Sequence, residues 1–159
     1  MNCVICHSHI YDEYMVLDDT HYICLNCDYP DTILAWKEET QTTWQDVLNK
    51  SRCGEGWYGC VVGNGWRKIV LEADQMLSRI DPDYKIHQVK EKFGTLCFYY
   101  GSEKTGVERK IMDAIVDSTE RKSKHICEDC GAYNAKLRTE RYWTRTLCDS
   151  CNDKLNEEK

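Results

Sequence analysis

The chain has 159 residues, 42% of them apolar and 30% charged, with a formal net charge of −6. That balance suits one modest core with small satellites and excludes a disordered or fibrous chain. No apolar run approaches membrane-spanning length, and the start Met-Asn-Cys-Val-Ile-Cys lacks the basic and apolar regions of a signal peptide, so a cytoplasmic protein with no membrane partner is expected.

Eleven cysteines in a reducing compartment point to metal ligation rather than disulfides. Cys3-x2-Cys6 is followed after 17 residues by Cys24-x2-Cys27, and Cys127-x2-Cys130 is followed after the same gap by Cys148-x2-Cys151. Each CxxC turn aims two sulfurs at one point, and two such turns joined by a short hairpin close a tetrahedral thiolate site suited to Zn²⁺. The spacing therefore predicts two Zn²⁺, both structural, because four thiolates leave no position for a catalytic water. His7 and His9 follow Cys6 but are not needed as ligands. Two four-thiolate sites would take the net charge to about −10.

In chain order, the first ribbon (1–30) carries Tyr11, Tyr14, Met15, Val16 and Leu17 between its knuckles, enough for a hairpin turning at Asp18-Asp19-Thr20. Residues 1–50 hold nine acidic residues against two basic ones, so this half should repel a phosphate backbone. A helical linker (31–53) follows, with Ile33, Leu34, Trp36, Trp44, Val47 and Leu48 in a broken helical pattern.

A central domain (54–124) opens with the glycine-rich run Cys53 to Trp66. The run has no phosphate-cradle spacing and reads as a packed turn anchored by Trp57 and Trp66, its backbone free to pass close to another segment. Ile69, Val70, Ala73, Met76, Leu77 and Ile80 then mark a helix, with Asn64 as its cap and Asp81-Pro82 as its stop. Ile86 and Val89 before the turn Phe93-Gly94-Thr95, and alternating Leu96, Phe98 and Tyr100 after it, mark a β-hairpin. Its second strand carries Cys97 and Tyr99 on the opposite face. Thr105-x-x-Glu108 reads as a capping box opening a helix that turns Val107, Ile111, Ala114, Ile115 and Ser118 inward. The expected fold class is α+β, a small α-β-β-α central domain flanked by two four-cysteine zinc ribbons, the second spanning 125–159.

The run Gly56-Trp57 through Val89-Lys-Glu-Lys-Phe-Gly-Thr-Leu-Cys-Phe-Tyr99, then Cys127-Glu-x-Cys130-Gly-Ala and Arg145-Thr-Leu-Cys-Asp149, resembles an uncharacterised phage and prophage zinc-ribbon family. The likeness covers roughly the last two-thirds of the chain. It departs at Thr95 and Cys97, where that family's pattern has glycine and arginine, and the N-terminal ribbon is an addition. The resemblance implies a phage or bacterial origin, hence the host cytoplasm, and names no activity.

Three groups of residues are candidates for partner contact. Asp12, Glu13, Asp18 and Asp19 (with Asp28 and Asp31) would face a basic protein surface. Lys90 and Lys92 share one face of the first hairpin strand and can meet an acidic partner or phosphate. Arg138, Arg141 and Arg145, with Lys136, interleave with Leu137, Tyr142 and Trp143 in the most nucleic-acid-like stretch. Cys53, Cys60 and Cys97 have no neighbouring base in sequence, so no catalytic set assembles. The expected function is non-enzymatic: binding and modulating a host protein, with inhibition of a bacterial defence system as the leading form. The alternative is a nucleic-acid or nucleotide binder using the C-terminal ribbon or the hairpin.

Overall fold

The computed structural model describes residues 14–16, 22–24 and 43–158. The chain divides into two compact units, Met1–Ser51 and Arg52–Lys159. In the first, β1 (Tyr14–Val16) and β2 (Tyr22–Cys24) pair antiparallel, Tyr14 opposite Cys24 and Val16 opposite Tyr22, so a hairpin does form between the knuckles. Cys24 closes β2. Cys3, Cys6 and Cys27, and the acidic residues Asp12, Glu13, Asp18, Asp19, Asp28 and Asp31, lie outside the described residues. Helix α1 (Trp44–Arg52) is opened by a reciprocal cap that sequence reading passed over. The Thr43 N–H donates to the Asp46 carboxylate at 3.2 Å and the Asp46 N–H to Thr43 Oγ1 at 3.1 Å.

The second unit is built on a three-stranded sheet in the order β3 (Gly59–Cys60), β4 (Lys85–Lys92), β5 (Thr95–Gly101). The third strand comes from the glycine-rich run, which lies parallel to β4 with Gly59 opposite Gln88 and Cys60 opposite Val89. A bulge between Ile86 and Gln88 lets Ile86 and Val89, three residues apart, both point inward. Val89 lies opposite Phe98, and Ile86, Val89, Leu96 and Phe98 are all buried. The turn places Phe93 at φ 52° and Gly94 at φ 77°, the paired left-handed residues of a tight two-residue hairpin.

Asn64–Trp66 forms a 3₁₀ turn, and α2 (Arg67–Ile80) continues from it, one turn later than an Asn64 cap would start it. It ends as expected at Asp81, whose carboxylate accepts from the Ser102 hydroxyl and from the Asp83 N–H at 3.0 Å. Those donors, Ser102 foremost, hold its pKa below the usual carboxylate value. At the entry to β4, Asp74 accepts from Arg52 Nε at 2.9 Å and from the buried Tyr84 hydroxyl.

Helix α3 (Gly106–Ser123) corrects two expectations. Thr105 stands at its N-cap without a side-chain capping bond, and the Glu108 carboxylate pairs with Lys104 at 3.3 Å rather than reaching back to the cap. The inward face is Met112, Val116, Thr119 and Ser123, whereas Val107 is 73% and Ile111 49% exposed. The reason lies at the edge of β5. The Leu96 N–H donates to Ser123 Oγ at 3.0 Å and the Phe98 N–H to Glu120 Oε1 at 2.8 Å. Those edge donors need acceptors, and the face carrying Glu120 and Ser123 supplies them. Ser123→Ala is therefore expected to cost about 1–3 kcal/mol in urea unfolding, because it strands a buried N–H.

The remaining chain is a ribbon: β6 (Lys136–Arg138) and β7 (Arg145–Leu147) pair antiparallel, and α4 (Asp149–Glu157) follows. The boundary drawn from sequence at 124/125 runs through this one compact unit. No helix among the described residues is long and apolar enough to cross a membrane.

Candidate metal centre

Cys127 and Cys130 sit on the turn after α3, while Cys148 caps the N-terminus of α4 and Cys151 lies in its first turn. The turn is fixed by its own backbone: the Cys127 N–H donates to Ala132 O at 2.8 Å and the Gly131 N–H to Cys127 O at 3.0 Å. The four sulfurs lie within 4.8 Å of one another, with Cys130 and Cys148 Sγ 3.6 Å apart. A tetrahedral zinc with bonds of about 2.3 Å sets its sulfurs roughly 3.8 Å apart, so the group can hold such an ion with little movement. The Cys151 N–H donates to Cys148 Sγ at 3.4 Å and brings that thiol down to about 7. Burial pushes the Cys130 and Cys151 thiols up.

The knuckle is bonded into the sheet unit through Glu128, between two of the cysteines. Its N–H donates to Thr146 O at 3.0 Å, its O accepts from the Gly65 N–H at 2.9 Å, and its buried carboxylate accepts from the Thr146 N–H at 2.7 Å and from Arg145 Nε at 3.3 Å. Burial raises the Glu128 pKa, while Thr146 and Arg145 oppose the shift. Thr146 in turn donates its hydroxyl to Gly94 O at 2.6 Å, joining the ribbon to the hairpin turn. Trp66, fully buried, donates Nε1 to Ile126 O at 2.9 Å. The segment that the glycine-rich run passes closely is thus the Cys127–Cys130 turn. A Cβ on Gly65 would stand 2.0 Å from Cys127 O.

No protein-family model, no curated protein and no solved structure matches the chain.

The other sequence-predicted residues fall into two groups. Arg138, Arg141 and Arg145 are held inside the ribbon. Arg138 donates to Leu147 O at 3.2 Å and to Asp149, Arg141 to Asn152 O at 3.1 Å and Asn156 Oδ1 at 2.7 Å, and Arg145 to Glu128 and Asp129. Tyr142 and Trp143 project from the ribbon tip, 92% and 73% exposed. Lys90 and Lys92 do share the outer sheet face, opposite Cys97 and Thr95. On the same face Gln88 lies opposite the exposed Tyr99, and His87, offset by the bulge, stacks on Trp57 with ring centroids 4.0 Å apart. Lys92 Nζ stands 5.9 Å from the Phe93 ring, which carries this face onto the turn.

Of the remaining cysteines, Cys60 is buried and its thiol is pushed up to about 12, which makes it inert at neutral pH. Cys53 Sγ lies 3.5 Å from both Gly54 O and Trp57 O, either of which can accept its one S–H. Sequence reading missed Phe93 as a candidate, although its place before glycine in a hairpin, where asparagine is the usual residue, was a visible signal.

Proposed function

We propose that this chain is a non-enzymatic, zinc-stabilised module that binds a protein partner through the outer face of its sheet. Phe93 carries the reading. It is held in the left-handed region at φ 52° with its ring 74% exposed, in a turn where asparagine fits without strain. An exposed aromatic kept at a position that disfavours it fits a contact role better than a folding role. Lys92 stands beside it, and Lys90, Tyr99 and, toward the other end of β4, Trp57 on His87 continue the face along the sheet, giving aromatic and basic groups suited to an extended acidic or apolar protein segment. The engagement of Arg138, Arg141 and Arg145 within the ribbon weighs against a basic nucleic-acid groove there. Cys127, Cys130, Cys148 and Cys151 would hold one Zn²⁺ and Cys3, Cys6, Cys24 and Cys27 a second, both structural. In the phage setting that the family resemblance implies, the partner is a host protein and the outcome its inhibition.

The Phe93→Asn variant tests this reading. It is expected to raise stability by up to about 1 kcal/mol, because a left-handed turn suits asparagine, while weakening partner binding tenfold or more. A variant that binds as well as the wild type removes Phe93, and with it the reading, from the contact surface.

One observation favours a second reading. The Trp57–His87 stack, Tyr99 and the two lysines on one sheet face also make a platform for single-stranded bases. Titration of a single-stranded oligonucleotide, read by anisotropy at about 50 and about 200 mM salt, separates the two. Steeply salt-dependent binding lost in Lys90→Ala favours nucleic acid; the protein-binding reading expects none at the higher salt.

A further inference from the structure

The turn that displays Phe93 is held from the ribbon as well as from its own strands. Phe93 and Gly94 lie at φ 52° and 77°, between the paired residues Lys92 and Thr95. Glycine adopts that region freely and an aromatic residue does not, so Phe93 would relax to negative φ unless something opposed it. Relaxation rotates the peptide planes on both sides of Gly94. Both are fixed: the Gly94 N–H donates to Glu91 Oε1, and Gly94 O accepts from the Thr146 hydroxyl at 2.6 Å. Thr146 and Gly94 are buried, so breaking their bond strands polar groups away from water. The Glu91 bond is local to the hairpin, whereas the Thr146 bond comes from β7, 52 residues further along the chain.

We infer that Thr146 is a positioning residue for Phe93, and that partner binding through Phe93 is therefore conditional on the bound metal. Both backbone groups of Thr146 meet Glu128: its N–H donates to the carboxylate at 2.7 Å, and its O accepts from the Glu128 N–H at 3.0 Å. Glu128 stands between Cys127 and Cys130, in the turn that bound zinc would fix. Leu137, on the other strand of the ribbon, closes the same side of the turn. A Cβ on Gly94 would stand 2.5 Å from Leu137 Cδ1 and 3.1 Å from Thr146 Oγ1. From the sulfurs to the Phe93 ring the links are Glu128, Thr146 and Gly94, each joined to the next by a hydrogen bond or a peptide bond. With the ribbon released, Phe93 loses the constraint that opposes its strain, and its ring is no longer presented in one geometry. The functional meaning rests on Phe93 being a contact residue, as proposed above: zinc is then a condition of binding as well as a source of stability.

Nuclear magnetic resonance of the full chain, with no partner present, tests the proposal. A residue at positive φ brings its own amide and α protons closer together than one at negative φ, and so gives a strong intraresidue Overhauser signal. Wild-type Phe93 is expected to show it. Thr146→Val removes the hydroxyl at nearly constant volume and should shift the turn equilibrium about fivefold toward negative φ, the worth of one hydrogen bond. The Phe93 signal should then weaken, and the amides of Phe93 and Gly94 should broaden by exchange. Thr146→Ser returns the hydroxyl and should restore both. Zinc content and the Trp66 indole signal should keep their wild-type values in the two variants, which separates positioning from a general loss of fold. Chelation of the wild type should weaken the same Phe93 signal while the contact of Val89 with Phe98 across β4 and β5 persists. A Phe93 signal unchanged in Thr146→Val overturns the proposal, as does one unchanged on chelation, or one that Thr146→Ser fails to restore. Those outcomes leave Phe93 standing as a contact residue, a reading that falls only if Phe93→Asn binds the partner as well as the wild type does.

Discussion

Chelation of the metal is expected to loosen the sheet as well as the ribbon. Zinc bound by Cys127, Cys130, Cys148 and Cys151 would supply on the order of 10 kcal/mol of folding energy to a segment with almost no core of its own. The ribbon's buried apolar cluster is Cys127, Ala135, Leu147 and Cys148, half of it cysteines of the candidate metal group. The sequence reading set the ribbon apart as a domain of its own, 125–159. The bonds from Glu128 to Gly65, Thr146 to Gly94 and Trp66 to Ile126 argue against that independence, because each ties a ribbon residue to the sheet unit. The Trp66 indole N–H reports this directly. Its nuclear magnetic resonance signal should move to the solvent-exposed position on chelation, and the amide of Gly65, which donates to Glu128 O, should lose hydrogen-exchange protection. If those signals persist while the ribbon resonances collapse, the two parts are independent.

Gly65→Ala is the second large effect. The added methyl carbon would meet Cys127 O at 2.0 Å and Glu128 O at 2.5 Å, and both are backbone atoms of a turn held by its own backbone bonds and by those of Glu128. Neither side can yield cheaply. A loss of about 3 kcal/mol or more is expected in chemical denaturation, together with weaker metal retention, since relieving the clash displaces the knuckle. Gly56→Ala provides the contrast in packing: no atom lies within 4 Å of its added carbon, so its cost should be confined to the φ of +82° and leave metal retention unchanged.

How much of this was legible in the sequence depended on whether the relevant interaction was local. The hairpin, the α2 helix, its stop at Asp81 and the four-cysteine group were readable because strand alternation, helical spacing and CxxC pairs are short-range patterns. The short β3 strand was not, because Gly59-Cys60 has no alternation to display and pairs with a segment almost thirty residues away. The inward face of α3 was misread because its two apolar stripes are similar in strength. What selects between them is the need of the β5 edge for Glu120 and Ser123, a requirement set by the sheet and absent from the helix sequence. Arg138, Arg141 and Arg145 looked like a nucleic-acid stripe for a related reason: the acceptors of their hydrogen bonds lie between nine and seventeen residues away, beyond a local window.

The central claim is that metal thiolate chemistry holds the ribbon, and through it the sheet. Elemental analysis of the purified chain, set beside the Cys148→Ser/Cys151→Ser variant, tests it most directly. Two zinc ions per wild-type chain and one per variant chain are expected, with the variant also losing hydrogen-exchange protection at Gly65, whose N–H donates to Glu128 O. A zinc content that the double substitution leaves unchanged, or iron with visible absorbance in place of zinc, would contradict the account.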